Sequence, residues 1–436
     1  MKRTFTVACL VFVLTLCLRA ADSATLSGRW VVTADFFGTP RYFMLHLDEK
    51  SGHVTGKFIG NDLNGTFDGT HLQVIARDKD GNTDEITATV SNGKMTGTMV
   101  ESSPDDPNPL TLDISAAFVP AIKRGVPQRH EFTPTVFYRQ FSPFYKPVLT
   151  VAPGDTIHTT TVDAGGVDEK GVNRVAGGNP QTGPFYIEGA MPGDTLVVHF
   201  TRVRLNRDWA GSDDYVVDSA VNRNLAVKTK DNGKSVRWKL DTAKGTASLA
   251  VSDEHLKTFA VPLRPMLGCV ATATPPGGAP PGTGDSGFFG GNMDFNDIGE
   301  GATVYLPVVN PGALLYVGDG HALQGDGELN GNALETSMDV EFTVDVMQGK
   351  RISFVRVETP TSIIAMGLSG SLDDAFKDAT ANMAQWLEDD YKLTPSEIAK
   401  VLGTTAEYHV SEVADRNSGI VLKINKERLA ALAPVK

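Results

Sequence analysis

The segment GDGHALQGDGELNG, residues 318–331, concentrates ionisable side chains between glycines. Its fourteen positions hold five glycines, three carboxylates and one histidine. Glycine adopts backbone conformations that other residues reach only at a cost, so short polar side chains between glycines can converge on one point. This composition is typical of a functional site and predicts chemistry or ligand binding in this segment.

Hydrolytic chemistry here would require a nucleophile, and the sequence indicates none among the side chains. The segment GLSGS, residues 367–371, approaches a nucleophile elbow but has Ser371 where the fifth position requires glycine. Cys269 lies between apolar residues in PMLGCVATA and is interpreted as a buried hydrophobic residue. Water activated by a bound metal ion is therefore the simplest nucleophile.

A catalytic zinc ion binds about three protein ligands from His, Asp, Glu or Cys and leaves one position for water. The segments GGNMDFNDIGEG and GDGHALQGDGE supply such residues, namely Asp294, Asp319, His321, Asp326 and Glu328. Asp319 and His321 are two positions apart, so their side chains lie on one face of an extended chain. The neighbouring run TVYLPVVNPGALLYV is expected to be buried, and charges at the end of a buried strand need a partner or a metal.

Two other interpretations of this segment concern calcium and solvation. DGELNG, residues 326–331, follows the first half of an EF-hand loop, but position 12 would be Ser337 where a glutamate is required. The EF-hand interpretation therefore fails. A structural calcium site of another kind stays open, as does the interpretation that the acidic residues only solvate glycine-rich turns.

The N-terminal residues predict export. Residues 1–24 combine Lys2 and Arg3 with an apolar run from Phe5 to Leu18 and a small-residue end, the pattern of a cleaved signal peptide. The protein is thus expected to be secreted or periplasmic. Cleavage would leave 37 basic and 51 acidic residues and Cys269 as the one cysteine. So acidic a chain has no electrostatic basis for binding nucleic acid, and no later run is long enough for membrane insertion.

The chain divides into two β-rich units. Residues 25–120 read as short alternating strands separated by turns every eight to twelve residues, which predicts a small antiparallel barrel or sandwich. Residues 121–128 are interpreted as a linker, and residues 129–436 as a larger β-sandwich body. In that body two Pro-Gly-Asp turns each precede an alternating run, so Asp155 and Asp194 are interpreted as turn residues of sister strands.

Two helices are predicted late in the mainly β chain. SLDDAFKDATANMAQWLEDDYK has Ser371 and Asp374 as a capping pair, and TPSEIAKVLG has Thr394 as cap, Glu397 three positions later and Gly403 beyond the end. The apolar face of the first helix is predicted to contain Leu372, Ala375, Phe376, Ala379, Met383, Trp386 and Leu387.

Several motifs together resemble those of a known enzyme family. GGNMD, then GATVYLPVVNPGALLYVGDGHALQGDGE and ALET, closely resemble the acetamidase/formamidase family, as do PVLTVAPGDTI, NPQTGPFYIEGAMPGDTLVV and EYHVSEVADRNSGIVLKI. The resemblance covers roughly residues 129–436 and leaves the N-terminal β unit and the export signal outside the usual family pattern. It implies a metal-dependent amidase that converts short linear amides to carboxylate and ammonia. The expected metal is zinc, with calcium as an alternative, and a homo-oligomer is expected.

The resemblance also implies roles for particular residues. Asp163, Asp319 and His321 are the first-choice metal ligands. Glu328 is assigned as the base that orients and deprotonates water and then protonates the leaving amine. Asp294 is assigned to the catalytic machinery and could exchange places with Asp163 as a ligand.

Asn292 or Gln324 is assigned as a donor to the amide substrate. A hypothesis from another functional class is an exported protein without catalysis, whose body binds a small amide or an ion. Ammonia release that a chelator prevents would distinguish the enzyme from the binding protein.

Overall fold

The computed structural model describes residues 26–229 and 233–432. The predicted signal peptide, residues 1–24, lies outside the described residues. Within the described ranges, no helix is both long enough and apolar enough to cross a bilayer.

The N-terminal unit is a closed barrel of eight antiparallel strands, each paired with the next and the last with the first. The expectation of a small antiparallel β unit is thereby confirmed, and of the two predicted alternatives the unit is the barrel and not the sandwich. Alternate side chains point inward, and Trp30, Leu45, Phe58, Leu72 and Met99 are fully buried in its core. The strands are β1 Gly28–Phe36, β2 Thr39–Lys50, β3 His53–Phe58, β4 Asn61–Phe67, β5 His71–Arg77, β6 Thr83–Ser91, β7 Lys94–Ser103 and β8 Asp106–Val119.

The body contains a nine-stranded sheet in the order β27-β28-β26-β25-β21-β13-β24-β11-β9. Its strands are β9 Arg129–Glu131, β11 Thr156–Thr160, β13 Thr195–Leu205, β21 Thr303–Pro307, β24 Met338–Met347, β25 Arg356–Glu358, β26 Ser362–Ser369, β27 Glu407–Glu412 and β28 Ser418–Asn425.

An eleven-stranded sheet forms the second layer of the body. Its main path runs β17-β16-β15-β14-β23-β22-β18-β20-β19, with β12 pairing to β22 and β10 pairing to β12. The strands are β10 Leu149–Val151, β12 Gln181–Ile187, β14 Trp209–Asp213, β15 Ser235–Asp241, β16 Thr246–Leu249, β17 Ala260–Pro262, β18 Met266–Thr272, β19 Ser286–Gly287, β20 Gly290–Asn292, β22 Leu315–His321 and β23 Glu335–Thr336.

The two sheets share one apolar core, as in a β-sandwich. Phe185 on β12 meets Phe342 on β24 edge to face, with ring centroids 5.8 Å apart, and both side chains are fully buried. The core also receives Leu315 and Val317 from β22, which is buried along its whole length. A strand buried on both faces explains why the sequence before the histidine is a nearly continuous apolar run.

The two Pro-Gly-Asp turns have the same local structure. Asp155 Oδ2 accepts a hydrogen bond from the Ala152 amide, and Asp194 Oδ2 accepts one from the Met191 amide, each at 3.0 Å. The strands that follow, β11 and β13, lie on either side of β24. The interpretation of both aspartates as turn residues is confirmed.

The described residues contain four helices and one 3₁₀ turn: α1 Arg223–Thr229, α2 Leu372–Tyr391, α3 Pro395–Thr405, α4 Lys426–Leu429 and the turn Asp218–Ala220. Both predicted late helices are present with their predicted caps, Ser371 for α2 and the Thr394–Glu397 capping box for α3.

Three details of these helices were predicted wrongly. Gly403 lies inside α3 and not beyond its end. Leu372 and Phe376 are 41% and 46% exposed, because α2 approaches β26 through small residues and leaves its first turn at the surface. The approach is close: a Cβ on Gly367 of β26 would lie 1.9 Å from the carbonyl oxygen of Ala375.

Candidate functional site

The segment singled out in the sequence forms the end of β22 and the loop after it. Asp319 and His321 are two positions apart on this strand, and both side chains project to one face. Both are buried, and His321 Nε2 lies 3.5 Å from Asp319 Oδ2. The structure therefore brings together the pair that the spacing predicted to share a face.

Glu335 on β23 lies directly across the strand pair from His321. Its Oε1 is 3.1 Å from His321 Nε2. Asp319, His321 and Glu335 form one group whose ligand atoms all lie within 4.8 Å of one another. Glu335 was not assigned from the sequence, although ALET was part of the family motif. The sequence signal for it was an acid directly after the apolar residues Ala333 and Leu334, both of which are buried.

A second group on the same imidazole contains Asp294, His321 and Glu328, again with ligand atoms within 4.8 Å. Asp294 Oδ1 is 3.9 Å from His321 Nδ1. Glu328 Oε1 accepts a hydrogen bond from the Ala333 amide at 3.0 Å. Four carboxylates thus surround one histidine; those of Asp294, Asp319 and Glu328 are buried, and that of Glu335 is 12% exposed.

Gln324 fixes the orientation of that histidine. Its Nε2 donates to the carbonyl oxygens of Asp294 and Ser411, at 2.5 Å and 3.0 Å. These two acceptors turn the amide so that Gln324 Oε1 faces His321 Nδ1 at 2.9 Å. Since Oε1 can only accept, Nδ1 carries the proton, and in the neutral imidazole the lone pair is on Nε2, toward Asp319 and Glu335.

The four carboxylates can converge because Gly268 has no side chain. Gly268 lies on β18 between Leu267 and Cys269, which pair with Gly320 and Gly318 of β22. A Cβ at Gly268 would lie 2.4 Å from Asp294 Oδ1 and 2.4 Å from Asp319 Oδ2. The two carboxylates therefore occupy the volume that any other residue would fill.

Three of these acids have left-handed backbone conformations. The φ angles of Asp294, Asp319 and Glu328 are 42°, 57° and 49°. Aspartate tolerates this region better than glutamate, and for a residue without such tolerance the cost is of order 1–3 kcal/mol. Such conformations cluster at functional sites, where surrounding structure fixes the side-chain directions.

The electrostatics follow from burial. Burial raises the pKa of Asp294 well above its usual value, and the nearby Glu328 and Asp319 carboxylates add to the shift. Burial also raises the pKa of Glu328 to about 8 and that of Glu335 to about 7. For His321, burial lowers the pKa, but the Glu335 and Asp319 carboxylates outweigh it and the net pKa is well above 6.5.

Asn292 links the carboxylate group to a neighbouring acid. Its Nδ2 donates to Asp294 Oδ2 at 2.5 Å and to Asp415 Oδ2 at 2.6 Å. Its Oδ1 accepts from Asn179 Nδ2 at 3.0 Å, and that nitrogen also lies 3.4 Å from Asp319 Oδ2. Asn292 and Gln324 as donors to a substrate stay predictions; in this structure their amides orient site residues.

Asp163 lies outside both groups. Its Oδ2 accepts from Arg207 Nη2 at 2.6 Å, and its Oδ1 accepts from the Val167 amide at 2.9 Å. Arg207 is buried, stacks on Trp209 and also contacts the carbonyl oxygen of Glu335. Asp163 therefore supports the strand that carries Glu335, and its role as a metal ligand stays a prediction.

The donor set is of the kind that binds a divalent cation. Among the described residues, His321 Nε2, Asp294 Oδ1, Asp319 Oδ1 and Glu335 Oε2 are buried polar atoms without a hydrogen-bond partner. Buried carboxylates without a counter-charge are costly, and either protons or a cation would relieve the cost. One imidazole with several carboxylates suits zinc or a similar first-row ion better than calcium, which binds oxygen ligands.

Several site residues were not predicted from the sequence. They are Asn179, Gly268, Glu335, Glu412 and Asp415, and except for the acid of ALET none has a local pattern that separates it from ordinary strand or turn residues. Glu412 is fully buried, and its Oε2 accepts from the Asp415 amide at 3.2 Å. Burial and the Asp415 carboxylate raise the pKa of Glu412 to about 9.

Comparisons with known proteins point to one family. The family model described as the Acetamidase/Formamidase family matches residues 285–415, which include Asp294, Asp319, His321, Glu328 and Glu335. A putative formamidase from Schizosaccharomyces pombe is 51% identical over 41 residues, or 9% of this chain and 10% of that relative. The chain therefore matches only about a tenth of this curated relative's length.

Solved structures match over a longer range. A predicted acetamidase/formamidase from Thermoanaerobacter tengcongensis is 28% identical, with a TM-score of 0.60 over 70% of this chain and 98% of that chain. An acetamidase from Yersinia enterocolitica is 26% identical, with a TM-score of 0.60 over 71% of this chain and 96% of that chain.

Gly268→Ala should inactivate the site without unfolding the protein. The new methyl group would displace the Asp294 and Asp319 carboxylates, and misplacement of site groups by about 1 Å costs roughly 10²-fold in rate. The measurement is activity together with bound metal and thermal unfolding. Gly211→Ala is the control, because a Cβ on this strand glycine would meet no atom within 4 Å. Equal activity of the two variants would contradict the prediction.

The metal-free protein should lose stability as the pH rises from about 5 to 9. Glu335, Glu328 and Glu412 have pKa values of about 7, 8 and 9 in the folded protein against 4.5 for the unperturbed side chain. Between these values the folded chain holds protons that the unfolded chain releases, so the stabilisation present below pH 4.5 is lost as the pH rises through the folded pKa.

Thermal unfolding of chelator-treated protein should show this decline as a fall of several degrees in Tm. Glu412→Gln should make the decline shallower, because a neutral side chain no longer has to be protonated to stay buried. Glu407→Gln, at an exposed position of the same strand, should leave the slope as in the wild type. A Tm that rises over this range would disprove the assignment of buried protonated acids.

Proposed function

We propose that this chain belongs to the acetamidase/formamidase family and hydrolyses short linear amides such as formamide or acetamide to a carboxylate and ammonia. The observation that carries the proposal is the buried group of Asp294, His321 and Glu328, whose ligand atoms lie within 4.8 Å of one another. This group lies inside residues 285–415, the range that the family model matches.

Amide hydrolysis needs a group that takes a proton from water and gives one to the leaving nitrogen. Glu328 suits both steps, because its pKa of about 8 lies near neutral pH. Its Oε1 is held by the Ala333 amide, and no other described residue hydrogen-bonds this carboxyl. Oε2 is therefore the atom that exchanges the proton.

The remaining residues hold this carboxyl and its neighbours in place. Gln324 keeps the proton of His321 on Nδ1, and Asn292 Nδ2 donates to both the Asp294 and the Asp415 carboxylates. The contact between Asn292 and Asp415 joins segments 123 residues apart, so these groups are held in position before substrate binds. Such preorganisation avoids rearrangement during the reaction.

We further propose that a divalent cation, preferably zinc, is held by His321 Nε2 with Asp319 and Glu335. Support comes from the tautomer that Gln324 imposes and from the unpartnered Asp319 Oδ1 and Glu335 Oε2. When bound, such a cation polarises a carbonyl oxygen and lowers the pKa of water. Export of the protein, which rests on residues 1–24, and a homo-oligomeric assembly stay predictions.

Glu328→Gln should reduce kcat for acetamide or formamide by about 10²–10⁴-fold, the contribution typical of a positioned acid–base group. Glutamine keeps the size and the hydrogen bond from Ala333 but cannot exchange a proton. Ammonia release over a panel of short amides is the measurement. Asp326→Asn, at an exposed carboxylate two positions earlier, should stay active. An active Glu328→Gln enzyme would remove Glu328 from the mechanism.

Metal removal should abolish ammonia release, and added zinc should restore it. Elemental analysis should find about one ion per chain in the wild type, and Glu335→Gln should weaken its retention because a carboxylate ligand is lost. Asp163→Asn serves as the comparison for retention of the metal ion, since Asp163 lies in the ion pair with Arg207. Full activity in chelator would overturn the metal proposal, and no release from any amide in metal-loaded protein would overturn the proposed hydrolysis.

A further inference from the structure

A large cleft lies between the barrel and the body. Its volume is about 1280 Å³, and it is distinct from the carboxylate group, since none of those residues lines it. Strands β1, β2 and β3 form the barrel wall, and residues 192–194, 307–309, 349 and 351–353 form most of the body wall. The cleft therefore requires both units.

The charge of the cleft is opposite to that of the protein. Its lining contains four cationic side chains and two carboxylates, whereas the whole chain has a net charge of −12. The cations are Arg29, Arg41, Lys57 and Arg351, and the carboxylates are Asp48 and Asp194. A cationic concavity in an acidic protein attracts anions.

Arg29, at the junction of the two units, has hydrogen-bond donors that lack acceptors. Its Nη2 bonds Asp194 Oδ1 at 2.5 Å, while Nε and Nη1 are buried without a hydrogen-bond partner. Asp194 does not accept hydrogen bonds from Nε and Nη1, and its carboxylate already accepts from the Met191 and Gly349 amides. Buried donors that lack an acceptor are costly, so an incoming acceptor would be favourable.

Two exposed arginines extend this cationic surface. Arg41, from the barrel, lies over the ring of Phe36 at 3.4 Å from its centroid and has no carboxylate partner among the described residues. Arg351, from the body, likewise forms no ion pair among them and lines the same cleft. By contrast, Lys57 is already paired with Asp62 at 2.8 Å.

The cleft also has apolar walls. Phe43, Met44 and Ile59 line it on the barrel side, and Phe288 and Ile352 line it on the body side. Ile59 is 45% exposed, although it is a large apolar side chain. A ligand with only a charged group would leave these walls in water, whereas an apolar chain would cover them.

We propose that this cleft binds an organic oxyanion with an apolar body, its head group on Arg29, Arg41 and Arg351 and its chain against Phe43, Met44 and Phe288. The guanidinium group matches carboxylate and phosphate oxygens alike, so both head groups belong to this class. The site is separate from the proposed amidase group and does not depend on the amidase activity.

Calorimetric titration of the full protein with decanoate tests the proposal. Saturable binding of decanoate is expected, and it should weaken at high salt. Binding should be much weaker or absent with decylamine, which lacks the negative charge, and with acetate, which lacks the apolar chain. Decyl phosphate in a parallel titration distinguishes a phosphate from a carboxylate preference.

Charge variants make the test specific to the cleft. Arg41→Gln and Arg351→Gln should each weaken binding roughly fivefold, and Asp48→Asn should strengthen it by a similar factor. Arg77→Gln, on β5 outside the cleft, should change nothing. These substitutions are at exposed positions, so thermal unfolding and amidase activity should stay at wild-type values.

Glu328→Gln should bind decanoate as the wild type does, because the proposed site is not the carboxylate group. The proposal is overturned if decanoate does not bind, if decylamine binds equally well, if the Arg41→Gln/Arg351→Gln double variant binds unchanged, or if Glu328→Gln alone abolishes binding.

Discussion

Burial of four carboxylates around one imidazole is the constraint on which the rest of the site depends. Taking such charges out of water costs free energy that only protons, donors or a cation can offset. The protein supplies few donors, since Asp319 Oδ1 and Glu335 Oε2 are left without partners. It instead buries the acids close to one another, and burial first and the neighbouring carboxylates second raise the pKa values of Glu328 and Glu335 and create a preference for a positive charge. A group poised between these protonation states suits proton transfer near neutral pH.

The sandwich fold provides the rigidity that this arrangement requires. Asp319, His321 and Glu335 lie on paired strands, and Asp294 follows a strand that pairs with β18. Gly268 is central because β18 passes directly under two carboxylates, and a methyl group there would collide with both. The left-handed backbone at Asp319 and Glu328 is sustained by the same packing, since an isolated loop would relax from it.

The body and the barrel have separate cores and contribute different features to the molecule. The body holds the carboxylate group within its β-sandwich, while the barrel has its own packed core and meets the body through the Arg29–Asp194 ion pair. Asp194 caps a Pro-Gly-Asp turn as well as binding Arg29, so one side chain couples the turn to the junction. The cleft beside this pair is a property of the combination, because each unit supplies part of its cations and part of its apolar walls.

Local sequence patterns determined many of the strands and helices of this protein. Alternation and turn residues predicted the antiparallel strands of the N-terminal unit, capping residues predicted α2 and α3, and the spacing of Asp319 and His321 predicted a shared face. Glycine-rich context also placed Asp294 and Glu328 among the candidates. Tertiary structure alone decided which acids meet: Glu335 joins His321 across a strand pair, whereas Asp163 joins Arg207. It also exposed Phe376 and gave Gln324 its orienting role. The physical reason is that periodicity and caps act within a few residues, whereas Glu335 lies 14 residues from His321 and Asp163 lies 44 residues from Arg207.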